Sequence, residues 1–229
     1  MNTNTILFGL YPYLAALVCV VGCWARYDCE QYSWKAGSSQ VLRTKGMRLA
    51  SNAFHVGILF VLAGHFVGLL MPEAIYHHVI STPNKQLLAM VSGGLFGALC
   101  FVGITMLIVR RFTDERVRTS SSFSDNLVLI LLYIQLILGL STIFASSQHM
   151  DGSVMVMLAD WAQSIVLLRP MEAAASIAPV GLVYKLHVFL GMTLFLIFPF
   201  TRLVHIISGV AAPVKYLLRN YQIVRQKRA

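Results

Sequence analysis

Five apolar runs of spanning length divide the chain, separated by short polar and basic blocks. They cover about Ile6 to Trp24, Leu49 to Met71, Leu87 to Val109, Asn126 to Ala145 and Val180 to Ile207. A helix that crosses a bilayer needs about 20 mainly apolar residues, so the pattern predicts five transmembrane helices. Pro72 closes the second run, and Arg110 with Arg111 closes the third. Residues Ser121 to Asn126, SSFSDN, offer N-cap side chains for the fourth helix. A stretch from Ser146 to Pro179 separates the fourth from the fifth. The expected fold is an all-α membrane protein with five transmembrane helices in residues 1–208, followed by a basic tail, 209–229.

Composition supports a bilayer as the solvent. Charged residues make up 12% of the 229, and hydrophobic residues 57%, whereas a soluble domain carries about 25% charged residues. The net charge of +9 raises the question of nucleic acid. The positive charges, however, sit in short blocks between apolar runs and form no binding face, so no nucleic-acid partner is expected. Fifteen lysines and arginines fall on one side of the predicted topology, and three on the other: Lys85, Arg169 and Lys185. The positive-inside rule then places the N-terminus outside and the C-terminus in the cytoplasm. No cleavable signal peptide is evident in MNTNT and the run after it. The four cysteines form no CxxC, and Cys19, Cys23 and Cys100 lie in apolar runs as small hydrophobes. The tail from Ala211 carries apolar residues among its basic ones. It reads either as an interfacial helix on anionic lipid or as a docking arm.

Seven histidines occur. His77, His78 and His149 fall in predicted loops and read as solvated residues. His55 and His65 lie in the second span, and His187 and His205 in the fifth. Ionisable residues at membrane depth are costly and mark function. The two spans run in opposite directions, so depth pairs His65 with His187 towards the outside and His55 with His205 towards the cytoplasm. Facing neutral imidazoles suit the two axial positions of a six-coordinate haem iron, a site built for electron transfer. The four histidines therefore predict two b-type haems within a four-helix bundle. Spacing strains this reading. His55 and His65 are ten residues apart, about 15 Å of helix, while the eighteen between His187 and His205 make about 27 Å. The fifth span must tilt or bend, and Pro199 is the expected place. Gly57, Gly64, Gly68, Gly191, Gly93, Gly94, Gly97 and Gly103 either leave room for a flat macrocycle or serve close helix packing.

Several long blocks carry a family resemblance: YPYLA at Tyr11 to Ala15, WARYDCEQYSWKAGSSQ from Trp24, GMRLASNAFHVGIL from Gly46, GHF at Gly64 to Phe66, SSQHMDGS from Ser146, and KLHVFLGMTLFLIFPFTRLVH from Lys185 to His205. With these the chain resembles the gamma subunit of membrane-bound respiratory nitrate reductase, a dihaem cytochrome b. The resemblance implies two haem b groups, the outer on His65 and His187 and the inner on His55 and His205. It implies quinol oxidation at the outer face of a bacterial cytoplasmic membrane, with proton release outside and a quinol site at Lys85, beside Gly64. As partners it implies an iron–sulfur beta subunit, docked by the tail, and a molybdenum-containing alpha subunit that reduces nitrate. Without that resemblance, Lys85 reads as a lysine snorkelling at the membrane edge. Arg110 and Arg111 read as an orientation signal or as partners of haem carboxylates. The rival readings are a cytochrome b anchor of a formate dehydrogenase or hydrogenase, and a haem-free anchor or transporter. A transporter is expected to show repeats or broken helices around a midplane site.

Overall fold

The computed structural model describes residues 2–35, 37, 39, 42 and 44–209. The expected tail, 210–229, lies outside the described residues. Among the described residues five helices are long and apolar enough to cross a membrane: α1 (Thr5–Cys29), α2 (Met47–Leu70), α4 (Thr82–Thr113), α6 (Phe123–Ser146) and the span Leu182–Phe200. The last consists of helix α9 (Leu182–Ile197) and a short 3₁₀ turn, Phe198–Phe200. Among the described residues four shorter α-helices, α3 (Glu73–Tyr76), α5 (Glu115–Thr119), α7 (Ser153–Val166) and α8 (Pro170–Ile177), and a 3₁₀ turn, Gln31–Ser33, lie between the spans. Among the described residues no strand occurs.

Local chemistry explains the boundaries. Pro83 sits in the first turn of α4, where its missing N–H costs nothing. A capping box opens α6. The Asp125 N–H donates to Ser122 Oγ (3.2 Å) and the Ser122 N–H donates to Asp125 Oδ2 (3.4 Å). The stretch from Ser146 to Pro179 is more than a connection. Its helices α7 and α8 pack on each other, on the first turns of α1 and on α2. Trp161 Nε1–H donates to the Phe8 carbonyl (2.9 Å), Tyr13 donates to Ile165 (3.0 Å), and Gln163 donates to Leu69 (3.1 Å). Phe8, Trp161, Ala173, Ile177 and Tyr184 form the buried core there.

The spans form an arc: α2 packs on α4, α4 on α6, α6 on α9, and α1 closes against α9. Small residues set the closest approach. A Cβ at Gly57 would stand 2.6 Å from the Cys100 backbone nitrogen, and one at Gly103 would collide with the Phe54 backbone. Beside this contact Phe60 stacks on Phe96, with centroids 4.1 Å apart. Gly97 admits the Leu140 side chain of α6.

The fifth span departs most from a simple helix. Regular α geometry ends at Ile197, and the Phe198 N–H tightens to the Phe195 carbonyl. Pro199 has no N–H to continue the ladder, and Thr201 is extended (φ −122°, ψ 176°). A new turn starts at Arg202, capped by Thr201 Oγ1, which accepts the Leu203 N–H (3.2 Å). The span is therefore interrupted after Phe200 and returns to α-helix only at residues 205–209, and the break falls at the proline where the spacing of the histidines required one.

Arg26, at the far end of α1, fills the break. Its Nη1 donates to the Pro199 and Thr201 carbonyls (2.6 and 2.8 Å), while Nη2 and Nε donate to Ser33 O and Oγ (2.7 and 3.0 Å). Gly22 lets Pro199 approach: a Cβ there would lie 2.7 Å from the proline ring. Other arginines gather at the same end. Asp125 lies between Arg111 (3.8 Å) and Arg202 (3.7 Å), Arg202 also donates to Gly37 O (2.7 Å), and Arg110 donates to Ser39 Oγ and O (2.7 and 2.8 Å).

The α2–α4 contact supplies a test. Gly103→Ala should destabilise the protein by about 1–3 kcal/mol, because backbone on both sides resists the added methyl. Gly93→Ala, whose Cβ would meet only Ile143 at 3.8 Å, should be neutral or slightly stabilising. Thermal unfolding of the two variants in detergent measures the difference.

Candidate functional site

The arc brings its two ends, α2 and the fifth span, face to face across their histidines. The His65 and His187 rings lie 5.9 Å apart between centroids, and the His55 and His205 rings 6.4 Å apart. These are the pairs expected from depth. His65–His187 lies towards the end where α4 begins, and His55–His205 lies towards the arginine-rich end. The break after Ile197 is what lets a spacing of eighteen residues match one of ten.

Three of the four imidazoles have a defined tautomer. Nδ1 of His55 lies 2.7 Å from the Ser51 carbonyl, that of His65 2.8 Å from Val61, and that of His205 2.6 Å from Arg202. A carbonyl oxygen only accepts, so each Nδ1 carries the proton and each Nε2 offers a lone pair. A backbone bond of this kind orients a metal-ligating histidine and raises its basicity. His187 differs. Its Nδ1 is buried without a hydrogen-bond partner, and its Nε2 lies 3.5 Å from the Gln135 amide, which donates to the His187 carbonyl (3.1 Å). Gly139 makes room for this ring, since a Cβ there would stand 3.0 Å from Cε1. Gln135 was not singled out from the sequence. A lone glutamine in an apolar run was its one signal.

The geometry fits an iron in each gap. Imidazole nitrogens bind a transition metal at about 2 Å, so two rings that share one axial line have centroids about 6 Å apart. Among the described residues no group of three or more His, Cys, Asp or Glu converges as a metal cluster, and the histidines come as two pairs, the donor set of haem iron. The glycines divide between their two readings. Gly57, Gly97 and Gly103 are filled by neighbouring helices and serve packing. At Gly64 and Gly68 an added Cβ would meet no atom within 4 Å. They flank His65 one turn or less away and leave open space beside it. Gly93 and Gly94 touch only Ile143, and Gly191 meets Gln135 at 3.2 Å.

Lys85 does not snorkel. It is buried, its Nζ has no hydrogen-bond partner, and it lies 3.6 Å above the centre of the Tyr76 ring. Tyr76 was missed from the sequence because α3, which presents it, is a single turn after Pro72. Thr82, His77 and Glu73 continue this group: His77 Nε2 is 2.9 Å from Glu73 Oε1 and 3.0 Å from Thr82 Oγ1. Next to Lys85, Gln86 donates to the Ser146 and His149 carbonyls (3.0 and 2.8 Å) and ties α4 to the turn after α6. In that turn Asp151 accepts from the hydroxyl and the N–H of Ser153 (3.0 and 3.3 Å), bonds that hold its carboxyl below the ordinary carboxylate range. His77, His78 and His149 are exposed, as expected. Arg110 and Arg111 find protein partners, Ser39 for one and Ser121, Asn126 and Asp125 for the other.

Comparison with known proteins gives a consistent result. The family model described as nitrate reductase gamma subunit matches residues 4–227. The respiratory nitrate reductase 1 gamma chain of Escherichia coli (strain K12) is 49% identical over 98% of both chains. The respiratory nitrate reductase 2 gamma chain of the same organism is 47% identical over 98% of both. The nitrate reductase gamma chain of Bacillus subtilis (strain 168) is 35% identical over 98% of this chain and 99% of its own.

Proposed function

The chain belongs to the nitrate reductase gamma subunit family, and on that premise we propose that it is the quinol-oxidising cytochrome b subunit of a respiratory nitrate reductase. The observation that carries this reading is the pairing of four intramembrane imidazoles at 5.9 and 6.4 Å. Bound between these pairs, two b haems supply one-electron transfer between the two ends of the bundle. His65 and His187 hold one group, and His55 and His205 hold the other. The carbonyls of Val61, Ser51 and Arg202 keep the rings turned with Nε2 inward.

Lys85 is the quinol-binding residue of this proposal. A buried ammonium with unused donors, steadied over the Tyr76 face, presents an N–H to a quinol oxygen. Gly64, without a neighbour within 4 Å of its Cβ position, leaves space for the ring. Quinol protons leave at this end of the protein. The excess of basic residues at the other end supports an orientation with the N-terminus outside and the C-terminus in the cytoplasm, in a bacterial inner membrane. There the chain delivers electrons to an iron–sulfur beta subunit, which serves a molybdenum-containing alpha subunit where nitrate is reduced. The basic tail provides the docking arm.

The membrane protein, expressed with adequate haem, should show a reduced-minus-oxidised b-type spectrum with two haems per chain. His65→Ala and His187→Ala should each remove one and the same haem, and His55→Ala and His205→Ala the other. A chain without haem absorbance sinks the reading, and a variant of one pair that spares its own haem sinks the pairing. Lys85→Ala should keep both haems and slow quinol oxidation by about tenfold or more, the loss of one hydrogen bond to a charged donor. Unchanged quinol kinetics in that variant would remove Lys85 from the site.

A further inference from the structure

The break in the fifth span is held from outside that span, by α1. Where the α geometry stops, the Phe198 carbonyl accepts the Thr201 N–H (3.2 Å) and hydroxyl (3.0 Å), and the Pro199 and Thr201 carbonyls both find Arg26. In a bilayer no water replaces a missing donor, so a chain break survives only where protein groups satisfy it. The guanidinium is suited to this in a way an ammonium is not. Its planar fork reaches Pro199 and Thr201 on one side, and Ser33 O and Oγ on the other, four bonds from one side chain.

What Arg26 holds leads directly to a histidine. Thr201 begins the turn Arg202–Val204, and Leu203 and Val204 of that turn are buried. The Arg202 carbonyl accepts from His205 Nδ1 (2.6 Å) and so sets the angle of the ring. Arg202 is itself braced by Asp125 and by the Gly37 carbonyl. His187, by contrast, sits in the unbroken part of α9, with the Gln135 amide donating to its carbonyl (3.1 Å).

We propose that Arg26 is a positioning residue for His205: by bonding the Pro199 and Thr201 carbonyls it fixes the break at Thr201 that brings His205 to His55, and so sets how those two rings face each other. The inference rests on the haem reading above. It predicts a defect confined to one of two haems, which a general loss of stability would not produce.

The test uses the complete complex with Arg26→Gln and Arg26→Lys. In both, the spectrum and the midpoint potential of the haem at His55 and His205 should change, or its content should fall severalfold, while the haem at His65 and His187 keeps its spectrum and potential. Arg26→Lys should restore little, because one ammonium cannot span the four acceptors. Equal loss of both haems, no change in either, or full rescue by lysine would overturn the proposal. If the Arg26 variants do not assemble, Thr201→Val takes their place. It removes the cap on the turn while keeping side-chain shape, and should produce the same one-sided change; a change at both haems, or at neither, overturns the proposal in this arm too. Amide hydrogen exchange across residues 198–205 reads the turn without haem, and should be faster in Arg26→Gln than in the unsubstituted chain. If the unsubstituted chain carries no haem, the haem reading falls, and exchange alone decides whether Arg26 holds the turn. Unchanged exchange there counts against it.

Discussion

A polypeptide in a bilayer must satisfy its own backbone, and this chain breaks its fifth helix at the arginine-rich end of the span. At the break after Ile197 the Phe198 carbonyl keeps the Thr201 N–H and gains its hydroxyl, and a guanidinium from α1 donates to the Pro199 and Thr201 carbonyls. Much of the molecule is arranged around this exchange. Gly22 thins α1 so that Pro199 can lie against it. The turn after Thr201 then places a histidine where a straight helix would have carried it about 12 Å farther along the axis, the difference between spacings of eighteen and ten residues. Only with the break do four histidines in two antiparallel helices become two matched pairs.

The two faces of α2 have opposite tasks. One face carries Gly57 and meets Gly103 of α4, and there the backbones approach until no side chain fits between them. This contact anchors α2 firmly, as small residues do between helices in lipid. His55 lies on the side away from Gly57, whereas Gly64 and Gly68 continue the Gly57 side beyond this contact, with no atom within 4 Å of their Cβ positions.

The two ends of the bundle differ in electrostatics. At one end a lysine is buried over a tyrosine ring, with donors that no protein group uses. At the other, Arg26, Arg110, Arg111 and Arg202 are spent on carbonyls, hydroxyls and Asp125. The first arrangement leaves a cation available to a ligand, and the second uses cations as structural braces. Arg26 and Lys85 differ less in charge than in what surrounds them.

Much could be read from the residues in order. Apolar runs of spanning length set the five helices, because hydrocarbon thickness imposes a minimum length on each. Opposed chain directions determined which histidines share a depth, and Pro199 marked the break, because proline cannot continue the ladder. Ser122 and Asp125 announced the start of α6. Tertiary structure decided the rest. Gly57 and Gly64 are alike in sequence, yet one is filled by Cys100 and the other is open. Arg26 counted only as a charge near a membrane edge until the fold placed the Pro199 and Thr201 carbonyls beside it, from 173 and 175 residues away. Lys85 looked like a snorkelling residue until α3 covered it with Tyr76. The division has a physical reason. Helix length and proline chemistry act on the chain locally, whereas a packing glycine, a braced carbonyl and a buried ammonium are defined by atoms from elsewhere in the chain.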